Sequence, residues 1–192
     1  MPHAPRLGLL LLVAILFAAC SSATAGSFDP KGPCTGDGRE PGAYPELEAR
    51  IPTSYYGKAP ENLDSGRNCT QTNLGSLSAL GIDEVRFAGG TWTFGAERAA
   101  VLAVFTAKGL TADALDDFYT KSAFANSRTT ITGRSGPTLA GRPGRRLDTT
   151  TGERTQTIVV WPAADPDFVN VVITNDLPDA RINDAVAAFG GR

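Results

Sequence analysis

The sequence predicts an α+β fold: a mostly antiparallel sheet packed by two to three helices. Three observations carry this. Residues 99–106 are apolar at both parities, the mark of a strand covered on both faces and therefore central in its sheet. Leu110, Ala114, Leu115, Phe118, Tyr119 and Ser122 recur at helical spacing. The plan of hairpin followed by helix then returns 67 residues later, with Phe94 falling on Trp161, Val104 on Val171, Leu110 on Leu177 and Leu115 on Ile182. Identities between the two stretches are few, so this is a repeated plan and not a sign of duplication.

Taken in order, residues 47–51 alternate apolar and polar and predict a short strand that Pro52 breaks. Residues 60–68 predict a loop. Thr72 or Asn73 is expected to cap a short helix carrying Leu74, Leu77 and Leu80, with Gly81 as its stop. Residues 84–87 and 91–94 both look extended, and Gly89-Gly90 between them predicts a bulge or kink. Residues 95–98 turn the chain into the apolar run. Thr111 then caps the first long helix, with Asp113 in its first turn. Residues 129–132 and 145–149 add strands. Residues 155–161 and 168–174 form a second hairpin about the turn 162–167. The last helix carries Ile182, Ala185, Val186 and Phe189, starts near Asp176 or Leu177, and ends before Gly190.

The N-terminus carries an address. An apolar run from Leu9 to Phe17 follows the basic Arg6 and is too short to span a bilayer, so it reads as an export signal. It ends in Phe17-Ala18-Ala19-Cys20, which resembles the lipobox of bacterial lipoproteins, with Phe17 where Leu is usual. The resemblance implies a signal peptide over 1–19, a diacylglyceryl group on the Cys20 thiol, and a cell-membrane, lipid-anchored, extracytoplasmic protein. Two long acyl chains hold a protein at the bilayer, whereas one is marginal. Ala23-Thr24-Ala25 also suits an ordinary signal peptidase, which would remove Cys20 and release the chain. With Cys20 lipidated, Cys34 and Cys69 remain as an even pair in an oxidising compartment, and a disulfide is expected. A reactive or metal-binding pair is the competing reading, but the spacing is far from C-x-x-C. Residues 20–45, rich in Gly, Ser, Pro and Thr, read as the lipidated cysteine and a flexible tether, pinned by Cys34. Residues 46–192 read as a single α+β domain.

Composition removes several function classes. A chain beginning at Cys20 has 173 residues, enough for one domain with a proper core, and carries 17 basic against 20 acidic side chains. No basic stripe points to nucleic acid. His3, in the leader, is the sole histidine, which removes histidine bases, Ser-His-Asp and Cys-His arrangements and imidazole metal sites from the remainder. Met1 is the sole methionine. No cofactor is expected and no metal site.

Arg134, Arg142, Arg145 and Arg146, interleaved with glycines, form the densest basic cluster and are candidate ligands for an acidic group. A solvated hairpin edge is the plainer explanation. Tyr55 and Tyr56 follow a strand end near loops and are candidates to line an apolar site, as are Trp92 and Trp161, although strand aromatics more often fill a core. Asp165-Pro166-Asp167 with Asn170 offers oxygen ligands for calcium, but a hairpin turn needs Asp and Pro anyway. Asp116-Asp117 lies on a polar helix side, and no two carboxylates are brought together for glycosidic chemistry. Asn68-Cys69-Thr70 spells a glycosylation acceptor whose cysteine is better used in a disulfide.

The order strand, hairpin, helix, three strands and C-terminal helix over residues 84–189 resembles the PsbP-like fold of some actinobacterial lipoproteins. The segments at 141–148 (Gly141 to Asp148) and 157–161 (Thr157 to Trp161) carry the likeness, which implies the sandwich fold and no particular activity. The expectation is a non-enzymatic, membrane-anchored module that binds an envelope lipid, glycan or protein through a groove between sheet and helix or through the arginine hairpin. A carboxylate-dependent envelope hydrolase and a structural envelope protein are the alternatives.

Overall fold

A computed structural model describes residues 28–95 and 97–190; Cys20 and the leader lie outside them. In chain order the elements are β1 (Gly38–Glu40), α1 (Pro45–Glu48), β2 (Asn62–Asn68), α2 (Gln71–Leu74), a 3-10 turn (Gly75–Leu80), β3 (Val85–Thr93), β4 (Ala99–Thr106), α3 (Ala112–Ala125), β5 (Thr129–Ser135), β6 (Thr138–Leu139), β7 (Arg142–Pro143), β8 (Arg145–Thr151), β9 (Arg154–Pro162), β10 (Phe168–Asn175) and α4 (Asp179–Ala188). The class is α+β, as the patterning predicts. Eight strands form one antiparallel sheet in the order β1-β2-β3-β4-β10-β9-β8-β5, while β6 and β7 make a small separate ribbon.

The apolar run does form a central strand. β4 lies between β3 and β10 and is buried along almost its whole length. Its alternate residues feed two cores. Val101, Ala103 and Phe105 pack with α3 and the 3-10 turn, while Ala100, Leu102 and Val104 pack with α1 and α4. The two hairpin-plus-helix units meet here, because β4 pairs with β10. Their correspondence is along the chain only: Val104 faces the α4 side and its counterpart Val171 the α3 side. No rotation superimposes units that place their helices on opposite faces.

Local chemistry explains the long helices. The Thr111 side chain accepts from the Ala114 amide at 3.1 Å, which makes Thr111 the N-cap. Leu115, Phe118 and Tyr119 then face the sheet. The Tyr119 ring is buried, and that burial pushes its phenol far above the ordinary value. At the other helix, Pro178 takes the N-cap position, one residue after Leu177. Asp176 instead sits at φ 51° and receives the Thr155 amide at 2.8 Å, closing the strand-to-helix corner.

Four local expectations are overturned. Residues 47–51 do not form a strand: Pro45–Glu48 is helical, and Leu47 and Ile51, one helical turn apart, are both 2% exposed. Residues 62–68 are not loop but β2, whose buried positions include Ser65, Arg67 and Asn68 and so give no apolar alternation. Gly89-Gly90 makes no bulge, since β3 keeps register with both neighbours through it. Gly90 instead makes room: a Cβ there would stand 2.9 Å from the Trp92 ring and 3.1 Å from Ile51. The short helix is capped by Thr70, two residues before the earliest position expected.

Order also begins before residue 46. Residues 28–36 form a strap over the end of β2, and Tyr44 is buried in the core. Cys34 and Cys69 are joined in a disulfide. Arg67, 4% exposed, donates to the carbonyls of Gly32 (2.8 Å), Asp29 (3.0 Å) and Pro33 (3.0 Å). Asp37 receives the Cys69 amide at 2.6 Å, the Thr70 amide at 2.9 Å and the Asn73 side-chain amide at 2.6 Å, besides the Thr70 hydroxyl.

Burial works against the Asp37 charge, but the hydrogen bonds from Thr70, Cys69 and Asn73 outweigh it and hold the carboxyl below the usual range. A carboxyl depressed in the folded state contributes stability above its unfolded value, about 3.9, and loses it as pH falls through the lower folded value. Asp37→Asn is therefore expected to cost about 1–2 kcal/mol at neutral pH. It should also flatten the decline of stability below about pH 4, as urea unfolding across a pH series would show.

Candidate functional site

A groove of about 440 Å³ opens where the start of α3 meets the turn between β9 and β10. Residues 110–113 form one wall and 162–169 the other, with Pro143 and Arg145 at the end. Long-range pairing builds it. β4 and β10 bring Thr106 opposite Phe168, so the chain entering α3 runs beside the β9–β10 turn. Ala107 donates its amide to the Asp167 carbonyl at 3.4 Å, and Gly109 donates to the Asp167 carboxylate at 2.9 Å. Asp167 serves this corner from φ 62°. This accounts for Asp165-Pro166-Asp167 as turn chemistry, and among the described residues no three His, Cys, Asp or Glu side chains gather as metal ligands.

The charges round the groove are matched. Arg145 meets Asp113 at 2.9 Å and the Gly144 carbonyl at 3.0 Å. Arg50 meets Asp165 at 2.7 Å and lies 4.0 Å over the Phe168 ring. Arg142 donates to the Ala163 carbonyl at 2.7 Å. The walls between these pairs are apolar: Leu110, Pro143, Pro162, Ala163, Phe168 and Val169. Such a surface suits a ligand with an apolar body and few polar atoms.

The four arginines of the sequence cluster do not form one patch. Residues adjacent in a strand point to opposite faces. Leu147 packs under α3, and so does the side of the sheet that carries Arg145, whereas Arg146 reaches Asp148 at 2.9 Å and Asp179 of α4 at 2.7 Å. Those two carboxylates raise the Arg146 guanidinium, Asp148 most strongly and against the opposing pull of burial. Arg134 pairs with Asp116 of α3. Arg145 alone of the four lines the groove, with Arg142 bracing its wall from behind.

Tyr55 and Tyr56 stand apart from the groove and hold α4. Tyr55 and Lys58 bridge a tight hairpin whose central residues, Tyr56 and Gly57, have φ 55° and 70°. A two-residue turn of this hand favours Asn-Gly, so Tyr56 occupies a strained position. Tyr55 is 2% exposed, meets Trp92, Phe94 and Tyr56 edge to face, and donates to the Arg181 carbonyl at 2.8 Å. Burial pushes its phenol up to about 12. Tyr56 donates to Asp184 at 2.7 Å, a bond that raises its own phenol, and the Arg181 guanidinium lies 3.2 Å over its ring. Trp92 and Trp161 are both core residues, 1% and 0% exposed.

The position of the groove is not legible in the sequence. The Thr111 cap and the Pro-rich turn were both visible, and only the pairing of β4 with β10 places them together. No protein-family model matches the chain, and no curated protein does.

Proposed function

We propose that the protein is a membrane-anchored, extracytoplasmic binding module whose ligand site is the groove between the start of α3 and the β9–β10 turn. One observation carries the reading: a cleft of about 440 Å³, walled by apolar side chains, whose bordering charges are already satisfied by partners in the fold. That volume falls within the range of small-molecule sites, about 300–1,000 Å³. The reading of a hydrolase needs two carboxylates free to face a substrate. Asp113, Asp116, Asp117 and Asp165 each carry a cationic partner, and Asp167 holds the Gly109 amide. The address rests on Cys20 and its lipobox-like setting. Among the described residues no helix is long and apolar enough to cross a membrane.

Ala164, exposed in the turn between β9 and β10, lines the groove and lies outside both cores. A dansyl-labelled fatty acid is expected to bind the wild-type protein saturably at one site. Ala164→Trp should weaken it about tenfold or more, with Ala164→Leu intermediate, while thermal melting stays close to wild type. Non-saturable binding, or equal affinity in all three proteins, would refute the groove as the site.

A further inference from the structure

We infer that Arg50, which stands outside the groove, holds its outer wall in place and so governs how tightly the groove binds. The inference rests on the reading of the groove as a ligand site and adds to it a positioning residue.

The wall is the turn between β9 and β10. Pro162 and Val169 are the last paired residues of the two strands, and the Ala163 amide donates to the Phe168 carbonyl at 2.9 Å. Residues 164–167 are all exposed, and none belongs to either core. An exposed turn of this kind takes its conformation from its ties, and moves where they are few. On the α3 side, Asp167 accepts the Gly109 amide through its carboxylate and the Ala107 amide through its carbonyl. Ala107 itself packs against the core under α3.

The tie on the other side is Arg50. It follows α1, whose Leu47 belongs to the core shared with α4, and Phe168 packs against that same core. The Arg50 guanidinium lies 4.0 Å over the Phe168 ring and donates to Asp165 at 2.7 Å. The turn is therefore strung between the two faces of the sheet, with Asp167 held from one and Asp165 from the other. Arg50 lines no part of the cleft, whereas Asp165 and Phe168 both do. Without Arg50 the remaining side-chain tie is the one toward α3, so the tip leans on residues 110–113 and the cleft narrows. Arginine suits the task because one planar group both stacks on a ring and donates to a carboxylate, where a lysine ammonium would only pair. If the open form falls to a fifth of the molecules, the apparent dissociation constant rises about fivefold.

The test titrates the purified protein with the dansyl-labelled fatty acid, an anion that gains nothing from a carboxylate beside it. Arg50→Ala is expected to weaken binding about fivefold or more, with Arg50→Lys between it and wild type. Asp165→Ala separates positioning from charge. Loss of the clamp predicts weaker binding, while removal of a negative charge from the wall predicts tighter binding. Backbone 15N order parameters at Ala164 and Asp167 should drop from about 0.85 in wild type to below about 0.6 in both alanine variants. Three results would each overturn the inference and leave the groove intact: wild-type affinity in Arg50→Ala, equal or tighter binding in Asp165→Ala, or a turn that stays rigid in both. A wild-type protein that binds no probe sinks the groove as the site, and the role of Arg50 with it.

Discussion

Trp161→Ala is expected to lower the free energy of unfolding by about 3–5 kcal/mol. Trp161 is 0% exposed, lies near the end of β9 on the α4 side, and meets Phe189 edge to face at 5.3 Å between centroids. Truncation removes a large apolar surface on the α4 side of the sheet and opens a cavity beside Phe189. Against a total stability of about 5–15 kcal/mol for an ordinary domain, such a loss is large. Urea unfolding should show a lower midpoint with an unchanged slope. Trp161→Phe separates packing from polarity. The indole N–H has no acceptor, so phenylalanine also removes an unsatisfied donor. That variant should cost less than about 1.5 kcal/mol. A loss below about 1 kcal/mol in the alanine variant would show that α4 contributes little to the folded state.

Removing the Cys34–Cys69 crosslink should have an effect of the same size by a different route. The bond closes a loop of 35 residues, for which the chain-entropy model gives about 4 kcal/mol. Most of that arises in the unfolded chain. Arg67, Asp37 and the β1–β2 ladder still hold the strap in the folded state, so the native sheet should survive in Cys34→Ser with Cys69→Ser. The expected signature is a lower urea midpoint together with a steeper slope, because a chain without the crosslink exposes more surface when it unfolds. Reduction of the wild-type protein should reproduce it. A fully reduced protein with the oxidised midpoint would mean that the closed loop constrains little.

Legibility in the sequence followed how each element is stabilised. β4, α3, the second hairpin and α4 could be read directly, since their burial is apolar and falls at the period of the element. β2 could not. Its buried positions are Ser65, Gly66, Arg67 and Asn68, held by ladder bonds and by the strap instead of hydrophobic alternation. In α1 the period is ambiguous, because Leu47 and Ile51 fit both an alternating strand and one helical turn. At Gly89-Gly90 the missing side chains answer to Ile51 and Trp92, neighbours that only the folded chain supplies. The arginine cluster divides between two faces, because strand neighbours 145 and 146 cannot serve the same one. The disulfide is legible in the cysteine count, since Cys34 and Cys69 are the pair left once Cys20 is set aside. The groove was not, because residues 110 and 168 come together only through the central pairing of the sheet.

The margins of the sheet have a consequence of their own. One outer strand, β1, has three residues, and the other, β5, slips register between Ile131 and Gly133 and ends beside Arg134. A long, flat, apolar margin invites a neighbour to zip on and continue the ladder. A crowd of these domains therefore finds, at either border, too short or too kinked a template to begin a fibre.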